Sequence, residues 1–284
     1  MRFCLLLLIL TIYKANYLSQ TPTGIYDNKT TSEFNVIDCF KTKNFSNKFT
    51  HDSLKSNSIF IGYTIWRTIS LENKTNQQLF NATNKCIQIG LFEIIKFGLF
   101  EKKLNAFSSD DFNNTKNTHL NEKQLFSIIG YCDSSETTVF DSYGNEKKSM
   151  VVEKGYYLGK HIKSYLLKEN WFINSYTGRL EKKIISIAPL VINKKTEKLL
   201  PLFWLYFNEW QYLFSEFEAK NYVSNETISY KDVFLLNYFI SKISKENNLT
   251  DKSVKSSKKG NDYLLESEII KEKINNQEAD LFHY

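Results

Sequence analysis

From residue 63 to 71, Ile65, Arg67, Ile69 and Leu71 alternate with Trp66, Thr68 and Ser70. A period of two predicts a strand that turns its larger aliphatics to one face. The period then changes. Leu91, Ile94, Ile95, Gly98 and Leu99 recur at helical spacing, with Glu93, Lys96 and Lys102 assigned to the opposite side. Residues 104–107 are expected as a second short strand. Thr118 is expected to cap a helix carrying Leu120, Leu125 and Ile128, which Gly130 ends. Between 133 and 163 the pattern breaks into Ser-Ser, Tyr-Gly-Asn and Lys-Lys stretches, which predict a linker or a long loop.

Beyond it come three extended runs, 170–176, 183–192 and 200–207, separated by Thr177-Gly178 and by the polar residues 193–198. Short polar turns between apolar runs predict an antiparallel meander, with Pro201 tolerated near the start of a strand. A helix follows over 230–245, capped by Ser229 with Asp232 and burying Val233, Leu236, Ile240 and Ile243. A last helix over 262–282 presents Leu265, Ile269, Ile270, Ile274 and Leu281. Both helices need a sheet to cover. The expected fold is therefore α+β, in two small lobes, the second an antiparallel meander covered by two C-terminal helices. The lobes are assigned to 54–132 and 164–284, with 133–163 between them and a polar, flexible leader over 20–53.

The first residues change the picture from fold to address. Met1-Arg2 is a short positive start, and the eleven residues from Phe3 are almost wholly apolar. At ~1.5 Å per residue such a helix spans about 16 Å, roughly half a bilayer core. The stretch reads as a secretory signal peptide over 1–19, cleaved after Ala15 or Ser19, with Cys4 removed along with it. No later run approaches the length of a spanning helix, so membrane association is expected to run through a partner. Cys39, Cys86 and Cys132 remain after cleavage. An odd number at these spacings gives neither a metal pattern nor a disulfide framework; buried thiols are favoured over a Cys86–Cys132 bridge. Seven Asn-x-Ser/Thr sequons, at Asn28, Asn44, Asn73, Asn81, Asn113, Asn225 and Asn248, are what a chain rich in Asn, Ser and Thr supplies by chance.

Composition narrows the function classes. The chain has 284 residues, 42% hydrophobic and 24% charged, which permits a sizeable core and excludes wholesale disorder. Its formal charge of +6 is spread along the sequence, and nucleic-acid binding asks for a concentrated basic face. No Gly-rich phosphate loop, H-E-x-x-H or G-x-S-x-G occurs, and His51, His119, His161 and His283 are far apart. No catalytic, cofactor or metal residues are assigned. Asp110-Asp111 fits a solvated turn better than a hard-cation site. Lys252, Lys255, Lys258 and Lys259 form a basic loop, read as solvated ahead of contact with an acidic partner. Trp66 and Trp204 lie in strand-like runs and are read as core. Trp210, after Asn208-Glu209, is the better interface candidate, because aromatics dominate binding hot spots, with core or half-buried cover weighed at least equally.

Several blocks occur in one order along the chain: Trp66-Arg67-Thr68-Ile69-Ser70-Leu71 followed by Glu72, Lys74 and Asn76; Leu91-Phe92-Glu93-Ile94-Ile95 with Gly98; Asn170-Trp171-Phe172; Ile184-Ile185-Ser186-Ile187-Ala188-Pro189; and Leu202-Phe203-Trp204-Leu205-Tyr206-Phe207. Asp232 with Phe234, Lys245-Glu246-Asn247-Asn248, and a tail from Leu264-Leu265-Glu266-Ser267-Glu268 to Tyr284 complete the series. From about residue 57 onward this series resembles the GldN/PorN family of type IX secretion and gliding. Asn208 stands where the family usually has proline, Asn237 replaces a typical basic residue, and the acidic and aromatic residues usual around 57–61 are mostly absent. The resemblance implies a non-enzymatic periplasmic subunit that forms a ring with a GldK/PorK-type outer-membrane lipoprotein. It also implies proximity to the periplasmic parts of GldL/GldM-type motor proteins, and a role in protein export and gliding. The family-motif or interface residues it marks are Trp66, Arg67, Trp204, Tyr206, Glu209, Trp210, Asp232, Lys245, Glu246, Glu266, Glu268 and Asp280. The alternatives are an extracytoplasmic hydrolase, built from His161 or His119 with carboxylates, and a secreted binding module.

Overall fold

The computed structural model describes residues 59–81, 88–111, 118–140, 146–174, 177–193, 196–221 and 226–246, together with Glu268, Ile269, Glu272 and Asn276. The signal segment, the leader, the lysine loop at 252–259, Cys39, Cys86, Glu266 and Asp280 lie outside them. In chain order the elements are β1 (Ile59–Ser70), α1 (Lys74–Phe80), α2 (Leu91–Phe100), α3 (Glu122–Ile129), β2 (Gly130–Phe140), β3 (Glu146–Tyr156), a 3-10 turn (Gly159–His161), β4 (Ser164–Asn174), β5 (Leu180–Ile192), β6 (Leu199–Pro201), β7 (Leu205–Tyr206), α4 (Phe207–Ser215), β8 (Glu218–Asn221), β9 (Glu226–Ser229), α5 (Tyr230–Leu235) and β10 (Lys242–Glu246).

The fold is α+β. Its principal sheet runs β10–β1–β4–β5–β6, with β7 also on β5, and every pairing is antiparallel. Two hairpins, β2–β3 and β8–β9, form separate two-stranded sheets. The meander at 164–201 follows its turns: Gly178 takes φ 66°, a conformation open to glycine, and its N–H donates to Asn174 O at 2.8 Å. The expected division into lobes is bridged. β1, from the first segment, sits between β4 and β10 of the last, and one apolar cluster draws on both.

That cluster fills one face of the sheet. Ile69, Tyr165, Leu167, Ile187 and Val191 meet α2, the α4 residues Trp210, Leu213 and Phe214, and the α5 residues Val233 and Phe234. All ten residues of α2 are buried, and a helix enclosed on every side must be nearly apolar all round. Gly98 sets the spacing of α2 and α4: a Cβ there would stand 2.5 Å from Trp210 Cζ3 and 2.7 Å from Leu213 Cδ2. The opposite face carries a smaller cluster of Phe107, Ala188 and Trp204, flanked by Trp66, Leu166 and Tyr206.

Several expectations are corrected. Glu93 and Lys96 do not lie on a solvent side; they are buried 2.7 Å apart as an ion pair. Residues 104–107 form no strand. Phe107 alone bridges to His119 and Trp204. Asn121, not Thr118, caps α3, through a capping box with Gln124. Residues 133–163 are largely the hairpin β2–β3, not a loop. The run 200–207 splits into β6 and β7, and α4 begins at Phe207. Ser229 does cap α5, but the helix stops at Leu235, and 242–246 becomes a strand on β1. Of the stripe assigned to that helix, Val233 and Ile243 are buried, while Leu236 and Ile240 are 61% and 51% exposed. Ile269 is helical and also exposed, while Leu265, Ile270, Ile274 and Leu281 of the helix expected over 262–282 lie outside the described residues.

Candidate interaction site

Residues 236–241 leave α5 and return to the sheet as β10, and polar groups from two distant elements fix their path. Asn76, buried on α1, donates from Nδ2 to Ile240 O at 2.7 Å and accepts from Ile240 N–H at 2.9 Å. Its amide thus acts as a one-residue strand partner. Arg67 on β1 donates from Nη1 to Asn237 Oδ1 at 2.7 Å, and from Nε and Nη2 to Ser241 Oγ at 2.9 and 2.7 Å. The same guanidinium lies 5.1 Å from the centre of the Phe239 ring. Asn237 takes φ 55°, a left-handed conformation that asparagine tolerates better than most residues and that ends the helical path.

The Arg67 clamp is held in turn. Glu169 on β4 accepts from Arg67 Nη1 through both oxygens, at 3.0 and 3.2 Å, and from Trp171 Nε1 at 2.7 Å. The Arg67 side chain is 12% exposed and that of Glu169 2%, so both charges are nearly enclosed and must be hydrogen-bonded. The pair separates the main cluster from a small one of Ile65, Trp171 and Ile243.

This scaffold buries Phe239 and turns its neighbours outward. Leu235, Leu236, Tyr238 and Ile240 are exposed by 48, 61, 48 and 51%, and they make four of the seven exposed large apolar side chains among the described residues. Clustered exposed apolar surface on a fixed backbone is a hallmark of a contact site. No described strand pairs on the far side of β10, so the patch adjoins an edge of the sheet.

Behind it, the register aligns Lys245, Trp66, Lys168, Ser186 and Tyr206 in one row across β10, β1, β4, β5 and β7. Lys245 and Lys168 place their ammonium groups 4.4 and 5.4 Å from the Trp66 ring centre. Trp66 Nε1 donates to Asp110 Oδ2 at 3.0 Å, and Lys168 approaches the same oxygen at 3.2 Å. Asp110 therefore fastens its turn to the sheet, a role the sequence reading did not assign.

The other marked residues fall elsewhere. Trp204 is buried beside Phe107, and Glu246 is buried at the end of β10. Asp232 accepts from Ser229 Oγ at 2.6 Å in the α5 cap. Glu268 is helical and exposed. Trp210 takes the core reading: it is fully buried, and its Nε1 donates to Asn105 O at 2.9 Å. Glu209 accepts from Asn105 N–H at 2.9 Å and from Nδ2 at 3.0 Å, while His119 Nε2 lies 2.9 Å from Asn105 Oδ1. Burial raises the pKa of Glu209, opposed by the Asn105 hydrogen bonds and by His119. Asn105 and the 235–240 patch were both missed. The one available signal was an asparagine, Asn237, in the middle of an apolar run.

The profile of the family described as "Gliding motility associated protein GldN" matches residues 54–283. The chain belongs to the GldN family. No curated protein matches it. Membership gives it a general role in gliding motility and type IX secretion. In this GldN-family chain the Trp66-Arg67 block has a physical purpose: successive residues point to opposite faces, so Trp66 anchors the Asp110 turn and Arg67 clamps the 237–241 segment.

Proposed function

We propose that the chain is a non-enzymatic structural subunit of the type IX secretion system. In this reading it assembles in the periplasm into a ring with a GldK/PorK-type outer-membrane lipoprotein, close to the periplasmic parts of GldL/GldM-type motor proteins. It supports export and gliding through its surfaces. The observation that carries the reading is the family match over 54–283, and the exposed patch at 235–240 offers it a contact surface. A closed ring needs two different, complementary surfaces on each protomer, and the patch supplies one candidate. Deleting the gene is expected to abolish secretion, and the native protein is expected to co-fractionate with outer membrane in very large particles. Intact secretion, or a monomer free of the envelope, would count against the assembly.

A second reading draws on Asn105, which joins His119 to a carboxylate of raised pKa. It makes His119 the base of an extracytoplasmic hydrolase. Turnover of an ester, peptide or glycan substrate by the purified chain, lost in His119→Ala, would establish it; no turnover across those three classes would remove it.

A further inference from the structure

The α2 helix is apolar except for Glu93 and Lys96, and both are enclosed, with 3% and 0% exposure. Their polar atoms are directed to one place. Glu93 Oε1 accepts from Gly159 N–H at 3.1 Å, Glu93 Oε2 lies 2.7 Å from Lys96 Nζ, and Nζ reaches Tyr157 O at 3.5 Å. The backbone they hold, 157–161, is the connection through which β3 enters β4. It is also the root of the β2–β3 hairpin, which pairs with no strand of the principal sheet.

The root is braced within itself and also packs on the core, with Tyr156 and Tyr157 against the main apolar cluster and Ile162 buried in it. Tyr157 N–H donates to Ile129 O at 2.8 Å, and Leu158 N–H to His161 Nδ1 at 2.9 Å. The rings of Tyr131, Tyr157 and His161 meet at 5.6 to 6.0 Å, and Gly155 leaves room for Tyr131, whose Oη would stand 2.8 Å from a Cβ there. An enclosed ion pair is commonly no more stabilising than two apolar side chains of the same volume. What the pair supplies, and leucine or methionine would not, is directed bonds from the core to the backbone of this root.

We propose that Glu93 and Lys96 form a latch that fixes the angle at which the β2–β3 hairpin leaves the core. With the latch closed, the hairpin and its root hold one orientation. With it removed, they swing about the joints at 129–130 and 162–163 while the sheet and α2 stay folded.

Amide hydrogen exchange on the full chain tests it. In Glu93→Leu/Lys96→Met, which keeps the volume and removes the bonds, exchange over 157–161 is expected to quicken about tenfold or more, with β4 and β5 amides unchanged. Glu93→Gln/Lys96→Met, which keeps an acceptor for Gly159 and strands no charge, is expected to lie between this variant and the wild type. Unchanged exchange at 157–161 would overturn the latch. So would a rise matched throughout β4, which would report global destabilisation. Should the double variant fail to fold, Glu93→Gln/Lys96→Met is read by the same two criteria.

Discussion

Helix α2 and the segment 235–240 read alike in sequence, as apolar runs broken by one or two polar residues, yet they have opposite fates. All ten α2 residues are buried, charges included, whereas 235–240 exposes four of its apolar side chains and buries Phe239. The difference lies in what the polar residues bond. Glu93 and Lys96 pair their charges and reach the Tyr157–Gly159 backbone, so the helix can be enclosed. Asn237 and Ser241 instead bond Arg67, which holds the segment at the sheet edge with its neighbours outward. Apolar content says that a segment seeks cover; the polar anchors decide whether this chain provides it.

The strongest way to break the α2 side is to remove one charge and strand the other. Lys96→Ala is expected to cost about 3–5 kcal/mol in denaturant unfolding, since an uncompensated buried carboxylate remains. On the other side, Arg67→Ala is expected to cost about 3 kcal/mol, because Glu169 is equally enclosed, and to loosen 237–241 first in hydrogen exchange. An intermediate effect sharpens the packing argument. Gly98→Ala forces Trp210 or Leu213 to shift and is expected to cost about 1–3 kcal/mol, read as a lower urea midpoint at unchanged slope.

The surface is where stability and assembly should part. Leu236→Ser with Tyr238→Ser is expected to change stability by no more than about 0.5 kcal/mol per site, because both side chains are already exposed. The smallest effect is at Glu209. Its folded pKa is raised, so the folded state binds the proton more tightly. Stability therefore falls as pH rises from the ordinary glutamate range through the folded value. Glu209→Gln is expected to flatten that fall, and an identical pH profile in the variant would contradict it.

The elements legible in the sequence were those whose own pattern decided them. The period-two run at 63–71, the Thr177-Gly178 turn and the Ser229 cap carry their cause locally, and each appears in the structure. What failed depended on contacts across the chain. Residues 236–245 continue a helical pattern, but Asn76 supplies hydrogen bonds to Ile240 and β1 supplies a strand partner, so the local preference loses. The charges of α2 suggested solvent, and only the position of 157–161 explains their burial. Among the marked residues, Arg67 bonds the 237–241 segment, while Trp66 turns to the other face of the sheet with Lys245 over its ring. Trp210 stood between interface and core, and α4, which includes the polar pair Asn208-Glu209, buries its ring. Leu235, Leu236, Tyr238 and Ile240 were passed over because a helical stripe accounted for two of them.

Assembly through the 235–240 surface is proposed, and particle size reads it. Particle size in detergent-extracted envelopes, compared between wild type and the Leu236→Ser/Tyr238→Ser variant at matched thermal stability, tests it most directly. Very large particles are expected for the wild type, and a collapse to small species for the folded variant. Particles of undiminished size, with secretion intact, would contradict it.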